Sequence, residues 1–318
     1  MHLVRAISLW LLLMGAPIVA FSQEIESVPA AARAVHEAAA SGGHEEGLPA
    51  HAVPVAHVGS FPITNSMIVT WIVALGLILF AQLATRNMKD VPGGLQNFWE
   101  WMVEGLYNFL EGIIGRDLVH RTFWFFATIF IFILFSNWAG LIPGLGTVGW
   151  NVTHADGATE FQPWFRGANA DLNMTLAMSL VFFACWTWWA LKTNGPGGFI
   201  KHLFAPKGDT TGLLKLLMIV VFLAVGCLEV FSILFRPVSL SFRLYGNIFA
   251  GENMLESMAS LVQHPAWAKT VFSFVLPIPF YFMELLVGLV QALVFMLLTA
   301  VFTMLICQHD DEHEHAHH

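Results

Sequence analysis

Three stretches of this chain carry no Asp, Glu, Lys or Arg: Ser66–Thr85 with 20 residues, Thr122–Ile142 with 21 and Leu172–Leu191 with 20. Each matches the roughly 20 apolar residues that a helix needs to cross a hydrocarbon core about 30 Å thick. From Thr211 to Gln308 the chain is almost continuously apolar, dividing at Gln263-His264-Pro265, which reads as a turn. Each half is longer than one perpendicular crossing needs, which predicts two strongly tilted or near-horizontal helices. Composition agrees: 57% of the 318 residues are hydrophobic and only 11% are charged, against about 25% charged in an average soluble domain. One packed core cannot hide that much apolar side chain behind so little polar surface, which excludes a soluble enzyme. The net charge of −8 argues against nucleic acid as a partner. Cys185, Cys227 and Cys307 all lie in apolar runs and read as packing thiols, not bridges or metal ligands.

Outside the spans the chain changes character. Arg5 followed by the apolar Ala6–Ala20 and the small residues Ala20 and Ser22 reads as a cleaved signal peptide over 1–22. Residues 23–65 form an extracytoplasmic arm, rich in Ala, Gly, Pro, His and Glu up to residue 60. His36, His44, His51 and His57 are too loosely spaced there to specify a metal. Between the first two spans, Trp99, Met102, Val103, Leu106, Phe109, Leu110 and Ile113 recur at helical spacing among Glu100, Glu104 and Glu111. That pattern predicts an amphipathic helix on the membrane face. The membrane domain occupies 66–308, and an acidic, histidine-rich tail 309–318 reads equally as a solvated end or a metal-binding sequence.

Positive charge sets the orientation. Arg86, Lys89, Arg116 and Arg121 mark one cytoplasmic loop, and Lys192, Lys201, Lys207 and Lys215 mark another. The 143–170 loop has only Arg166 and the 262–270 turn only Lys269, so both are expected outside, with the C-terminus inside.

Within the last two long helices sit Glu229, Arg236, Arg243, Glu252, Glu256 and Glu284. An ionisable group at membrane depth costs several kcal/mol unless it is paired or hydrated, which makes it a functional candidate by default. Arg236, beside Pro237, reads equally as a functional charge and as a structural or interfacial one, and Glu256 reads as a solvated end. On a continuous helix Glu229, Arg236, Ser239, Arg243 and Asn247 fall within roughly 80° of one another. Glu252 lies nine residues past Arg243, on the opposite face and about 14 Å along the axis, too far for a direct ion pair. Glu284 and Gln291 share a face of the last helix, and Gly246 and Gly251 let another helix approach closely. No histidine lies inside a predicted span, so an ion relay there must use carboxylates, amides, hydroxyls and water.

The run Pro237-Val-Ser-Leu-Ser-Phe-Arg-Leu-Tyr-Gly-Asn-Ile-Phe-Ala-Gly-Glu252 resembles the signature of subunit a of F-type ATP synthases. Asn137-Trp-Ala-Gly-Leu-Ile-Pro-Gly144, Ala170-Asp-Leu-Asn-Met-Thr-Leu176 and Gln291 follow the same pattern, and the resemblance covers about residues 60–308. It implies a bacterial inner-membrane stator subunit that works against the oligomeric subunit c ring, beside the peripheral-stalk subunit b and the remaining synthase subunits. It implies that Arg243 is the essential stator arginine. Asn247, Glu252, Glu284, Gln291 and Asp171 would line an outer half-channel, and Glu229 and Ser239 an inner one. Many relatives carry histidine where Glu284 stands.

The expected fold is therefore an all-α polytopic membrane protein with five membrane-inserted helices and one amphipathic surface helix. It has no catalytic site of its own, no cofactor and no metal. No Gly-rich phosphate loop ending in Gly-Lys-Ser/Thr occurs. The cargo is the proton, with Na+ as the alternative. A self-contained secondary transporter would need an internal repeat, and an intramembrane metalloenzyme would need ligands within the spans. A purely structural anchor would not require Arg243.

Overall fold

The computed structural model describes residues 52–58, 61–145, 148–153, 159–204, 213–261 and 266–307. The signal peptide, most of the arm, the turn at 263–265 and the tail lie outside the described residues. Two short hairpins and seven helices follow in chain order: β1 Pro54–Val58, β2 Phe61–Thr64, α1 Asn65–Thr85, α2 Leu95–Ile114, α3 Arg116–Gly140, β3 Gly149–Thr153, β4 Thr159–Pro163, α4 Leu172–Phe204, α5 Leu213–Ser260, α6 Ala266–Val275 and α7 Pro277–Cys307. Five stretches are long and apolar enough to span a membrane: Asn65–Thr85, Arg116–Gly140, Leu172–Gly195, Val221–Ser260 and Val271–Cys307. This is the expected polytopic helical fold. A helix suits the hydrocarbon interior because it satisfies every backbone polar group within its own segment.

The core lies around α3. Phe125, Phe126, Ile129 and Ile133 of α3 are fully buried, together with Met178 and Phe182 of α4, Leu244 of α5 and Met296 of α7. α2 packs its Trp99, Leu106, Leu110 and Ile114 inward and leaves Glu104 exposed, as its apolar period requires. α4 extends beyond the predicted span to Phe204 and breaks at Gly195, which sits at φ 67°. The missing Cβ permits that left-handed backbone, and Pro196 follows where a helix cannot continue.

The two spans at the C-terminal end are long. Val221–Ser260 has 40 residues, or about 60 Å of helix against about 30 Å of hydrocarbon. It must therefore tilt or run partly along the membrane plane. α5 is assigned as one continuous helix through Pro237.

The hairpins depart from a purely helical chain. β1 pairs antiparallel with β2, and β3 with β4, as two separate two-stranded sheets. Both stand at one end of the bundle, because Asn65 Nδ2 at the start of α1 donates to the Pro163 carbonyl at the end of β4, at 3.1 Å. At the other end Trp186 Nε1 and Asn194 Nδ2 of α4 donate to the carbonyls of Phe302 and Ile306 of α7, at 3.1 and 3.0 Å.

Candidate functional site

α5 divides its two faces sharply. Ile233, Leu240, Leu244 and Ile248 are buried against the bundle. Phe231, Phe235 and Phe242 are 61%, 62% and 54% exposed, with Val221, Leu223, Leu228 and Leu234 also outside. Only 17% of the most apolar stretch of Val221–Ser260 is buried, against 67% for α3. Ser239, Arg243 and Asn247 all lie on this open face, while Glu229 and Arg236 are half-buried beside it. The polar stripe predicted from the sequence is thus on the surface of the chain, embedded in aromatic and aliphatic side chains.

Where α5 meets α7 there is a cleft of about 420 Å³ lined by Asn247, Ala250, Gly251, Glu284, Val287 and Gln291, among others. Three of the predicted outer-channel residues therefore share one cavity, one helical turn from Arg243. Glu284 is only 3% exposed. Its carboxyl group lies against the backbone of α5 at Gly251, in space that a Cβ on that residue would occupy. The glycine does not relax the helix here; it makes room for an acid.

Glu252 points the other way. Its Oε1 lies against Gly167, again in the place of a Cβ, and 3.5 Å from where a Cβ on Gly140 would be. The end of α3, the loop before α4 and the far half of α5 thus converge on one carboxylate. Arg166, which has only 4% exposure, comes from that same loop and sets its guanidinium 5.7 Å from the centroid of Phe249. It acts electrostatically on Glu252 and Tyr245. Glu252 Oε2 and Glu284 Oε1 are buried and accept no hydrogen bond from the described residues.

Asp171 sits beside this cluster but is already engaged. Ser66 Oγ donates to its Oδ2 at 2.7 Å, and the Asn173 N–H donates to its Oδ1 at 3.0 Å. The second bond makes Asp171 the N-cap of α4. Asparagines at the end of α3 and in the loop before α4 hold the frame. Asn137 Nδ2 donates to the Gly288 carbonyl at 2.9 Å, Asn169 Nδ2 donates to Asn137 Oδ1 at 2.7 Å, and Trp138 Nε1 donates to the Leu285 carbonyl at 3.1 Å. These bonds fix α7 against α3 within one turn of Glu284.

Residues 67–304 match the family model described as ATP synthase A chain. The chain belongs to the ATP synthase subunit a family. The sequence is 32% identical to ATP synthase subunit a of Gloeobacter violaceus over 250 residues, covering 78% of this chain and 86% of that protein. It is 36% identical to ATP synthase subunit a 3 of Pelobacter propionicus over 233 residues, covering 73% and 83%. With ATP synthase subunit a of Moorella thermoacetica it shares 31% over 250 residues, covering 79% and 94%. Relatives of this kind, with five spans in the structure, identify a multi-pass bacterial membrane protein.

In this subunit a homologue the predicted residues fall into separate places. Asn247, Glu284 and Gln291 meet in the cleft, and Glu252 lies behind it with Asp171 nearby. Glu229 lies about two turns from Arg236 and nearly three from Ser239 towards the start of α5, near the opposite end of the bundle. There Arg236 is sandwiched between aromatic rings, 4.2 Å from the Phe302 centroid and 5.6 Å from that of Trp186. Glu256 is exposed, as expected of a solvated end. The sequence did not single out Arg166, which reads there only as the lone positive charge of a loop expected on the outer side of the membrane. It also missed Gly140 and Gly167 as the seat of Glu252.

Proposed function

We propose that this subunit is the stator that carries ions to and from the subunit c ring of a rotary ATP synthase. It works with subunit b and the other synthase subunits in a bacterial inner membrane. The observation that carries this reading is the open apolar face of α5 with Arg243 at its middle. A long membrane helix that leaves its aromatic face and a cation uncovered needs a partner supplying both packing and a negative charge. A ring of helices, each bearing one carboxylate, has that chemistry.

Two offset half-channels meet at Arg243. The outer one opens at the hairpin end and runs past Glu252, Glu284, Asn247 and Gln291, with Asp171 in its wall. The inner one passes Glu229 and Ser239 towards the opposite, cytoplasmic side. The N-terminus is extracytoplasmic and the C-terminus cytoplasmic, in keeping with the loop charges. The buried carboxylate oxygens lacking a protein donor are where water or a proton completes the path. Arg243 attracts the deprotonated ring carboxylate, favours ion release from it, and repels cations that would cross directly. One charge crossing about 100 mV releases about 2.3 kcal/mol, so several protons are needed per ATP. A rotor meets that need and a single-step pore does not. The cargo is the proton, and the subunit holds neither nucleotide nor a catalytic site.

The test is cross-linking in membranes. Cysteines at Leu228 and Phe235 are expected to form disulfides with cysteines in the ring, while those at the buried Ile233 and Leu240 are not. A self-contained transporter gives no ring adduct at any of the four, which would sink the proposal.

Gln291 provides a second measurement. Its amide can donate and accept, it lines the cleft, and it makes no hydrogen bond among the described residues. Gln291→Leu is therefore expected to leave subunit content unchanged while lowering coupled pumping severalfold, with Gln291→Asn or Glu milder. Equal loss of subunit and pumping would mark the glutamine as structural.

A further inference from the structure

α5 carries Arg243 on a helix with little packing to hold it. Only 17% of the most apolar stretch of Val221–Ser260 is buried, so few contacts fix its position along and about its own axis. Pro237 loosens it further: proline has no N–H, and the Ile233 carbonyl one turn earlier loses its helical donor. Arg236 stands at this weak point. Its guanidinium carbon lies 4.2 Å from the ring centroid of Phe302 on α7 and 5.6 Å from that of Trp186 on α4. One side chain of α5 thus reaches two neighbouring helices.

The rings are themselves held. Trp186 Nε1 donates to the Phe302 carbonyl at 3.1 Å, which ties α4 to α7 at this level. Phe183 stacks on Trp186 with centroids 6.1 Å apart and 17° between the planes. Phe199, beyond the break at Gly195, meets Trp186 edge to face at 6.3 Å and 75°. Trp186 is buried among these partners. A ring face attracts a cation, more strongly where water is excluded, and a planar guanidinium stacks on it where a compact ammonium does not.

Arg236 and Arg243 are seven residues apart, about two turns and roughly 10.5 Å along one helix. Seven residues return to nearly the same angle, so a slide or rotation of α5 at Arg236 carries Arg243 with it. We propose that Arg236 is a positioning residue for transport: held between Trp186 and Phe302, its guanidinium pins α5 to α4 and α7 and fixes the height and direction of Arg243. This rests on the stator reading given above. It gives Arg236 a part that requires its charge and its planar shape but no contact with the ion or the ring.

The experiment uses the whole complex in inverted membrane vesicles. Protons pumped per ATP hydrolysed and subunit content are measured for the wild type, Arg236→Met, Arg236→Lys, Phe302→Tyr, Phe302→Leu and Arg236→Met with Phe302→Leu. In each background the yield of disulfides with ring cysteines is compared for Phe242→Cys, on the exposed face, and Leu240→Cys, on the buried one. Arg236→Met keeps the apolar stem and loses the cation. It is expected to assemble at normal content, to lower pumping per ATP about tenfold, and to narrow the contrast between the two cysteines severalfold. Phe302→Leu keeps the bulk and loses the ring face, and should do the same. Phe302→Tyr should retain most of the pumping, and Arg236→Lys should fall between wild type and Arg236→Met. The double variant should be no worse than either single one, because both remove the same contact.

An Arg236→Met complex with wild-type pumping and an unchanged cysteine contrast overturns the proposal. So do equal effects of Phe302→Leu and Phe302→Tyr, or losses that add in the double variant. Should Arg236→Met fail to assemble, the Phe302 pair decides: pumping lost at normal content in Phe302→Leu alone supports the clamp, and normal pumping there ends it. Content and pumping falling together in both Arg236→Met and Phe302→Leu make the cluster a scaffold and also end the proposal. A failed stator reading looks different, since Phe242→Cys then forms no ring disulfide even with Arg236 and Phe302 intact.

Discussion

Replacing Arg243 by alanine is expected to abolish both ATP-driven proton pumping and proton-driven ATP synthesis while leaving the complex assembled. The side chain is exposed on α5, and among the described residues no carboxylate pairs with it. Its removal breaks nothing within the subunit. The buried face that anchors α5, with Ile233, Leu240, Leu244 and Ile248, is untouched. What disappears is the charge that faces the ring and the barrier between the half-channels, so passive proton leak should rise. Arg243→Lys is expected to fail almost as badly. An ammonium is a compact charge that gives up its proton when desolvated, and it cannot present the planar fork of donors that a carboxylate accepts. A scaffold arginine predicts the reverse: lysine tolerated, alanine lost through poor assembly. Pumping and passive permeability in vesicles, with subunit content measured for each variant, separate the two. An assembled Arg243→Ala complex pumping at near-normal rates would falsify the stator role.

The sequence revealed what depends on hydropathy and helical period. Uncharged stretches located α1, α3 and α4, and the repeat of Trp99, Leu106 and Leu110 located α2, because a helix in or on a membrane has to match its apolar surface to the medium. The stripe Ser239, Arg243, Asn247 was also legible, since residues four apart on one helix share a face. Contacts between distant segments were not. Arg166 lies in a polar loop with Trp164, Gly167 and Asn169 for neighbours, and nothing local distinguishes a buried arginine from a solvated one. The hairpins were missed because their strands have only four or five residues, too few to establish a period of two. Asp171 offered only its residue type; its capping bond to Asn173 and its bond to Ser66, 105 positions away, belong to the tertiary structure.

The glycines show the same division most clearly, and they lead to the other large effect. From the sequence, Gly251 allows a close helix approach without saying what approaches. In the structure it is the carboxyl group of Glu284. Gly251→Ala is therefore expected to act on transport and stability in opposite directions. In a helix interior alanine is favoured over glycine by about 1 kcal/mol, so α5 itself gains. The new methyl group occupies the space of the Glu284 carboxyl, which ends a flexible side chain and can swing into the neighbouring cleft beside Asn247 and Gln291. The subunit should thus assemble at normal content and unfold no earlier on heating. Coupled pumping should still fall about tenfold, the effect of roughly 1.4 kcal/mol on the barrier, because the acid has left its place between α5 and α7. Gly251→Val enlarges the displacement and should reduce pumping further. Gly76→Ala on α1, where a Cβ meets nothing within 4 Å, provides the control and should pump normally. If Gly251→Ala lowers stability and pumping in parallel, the glycine serves only packing; if neither changes, Glu284 does not need the position in which the structure holds it.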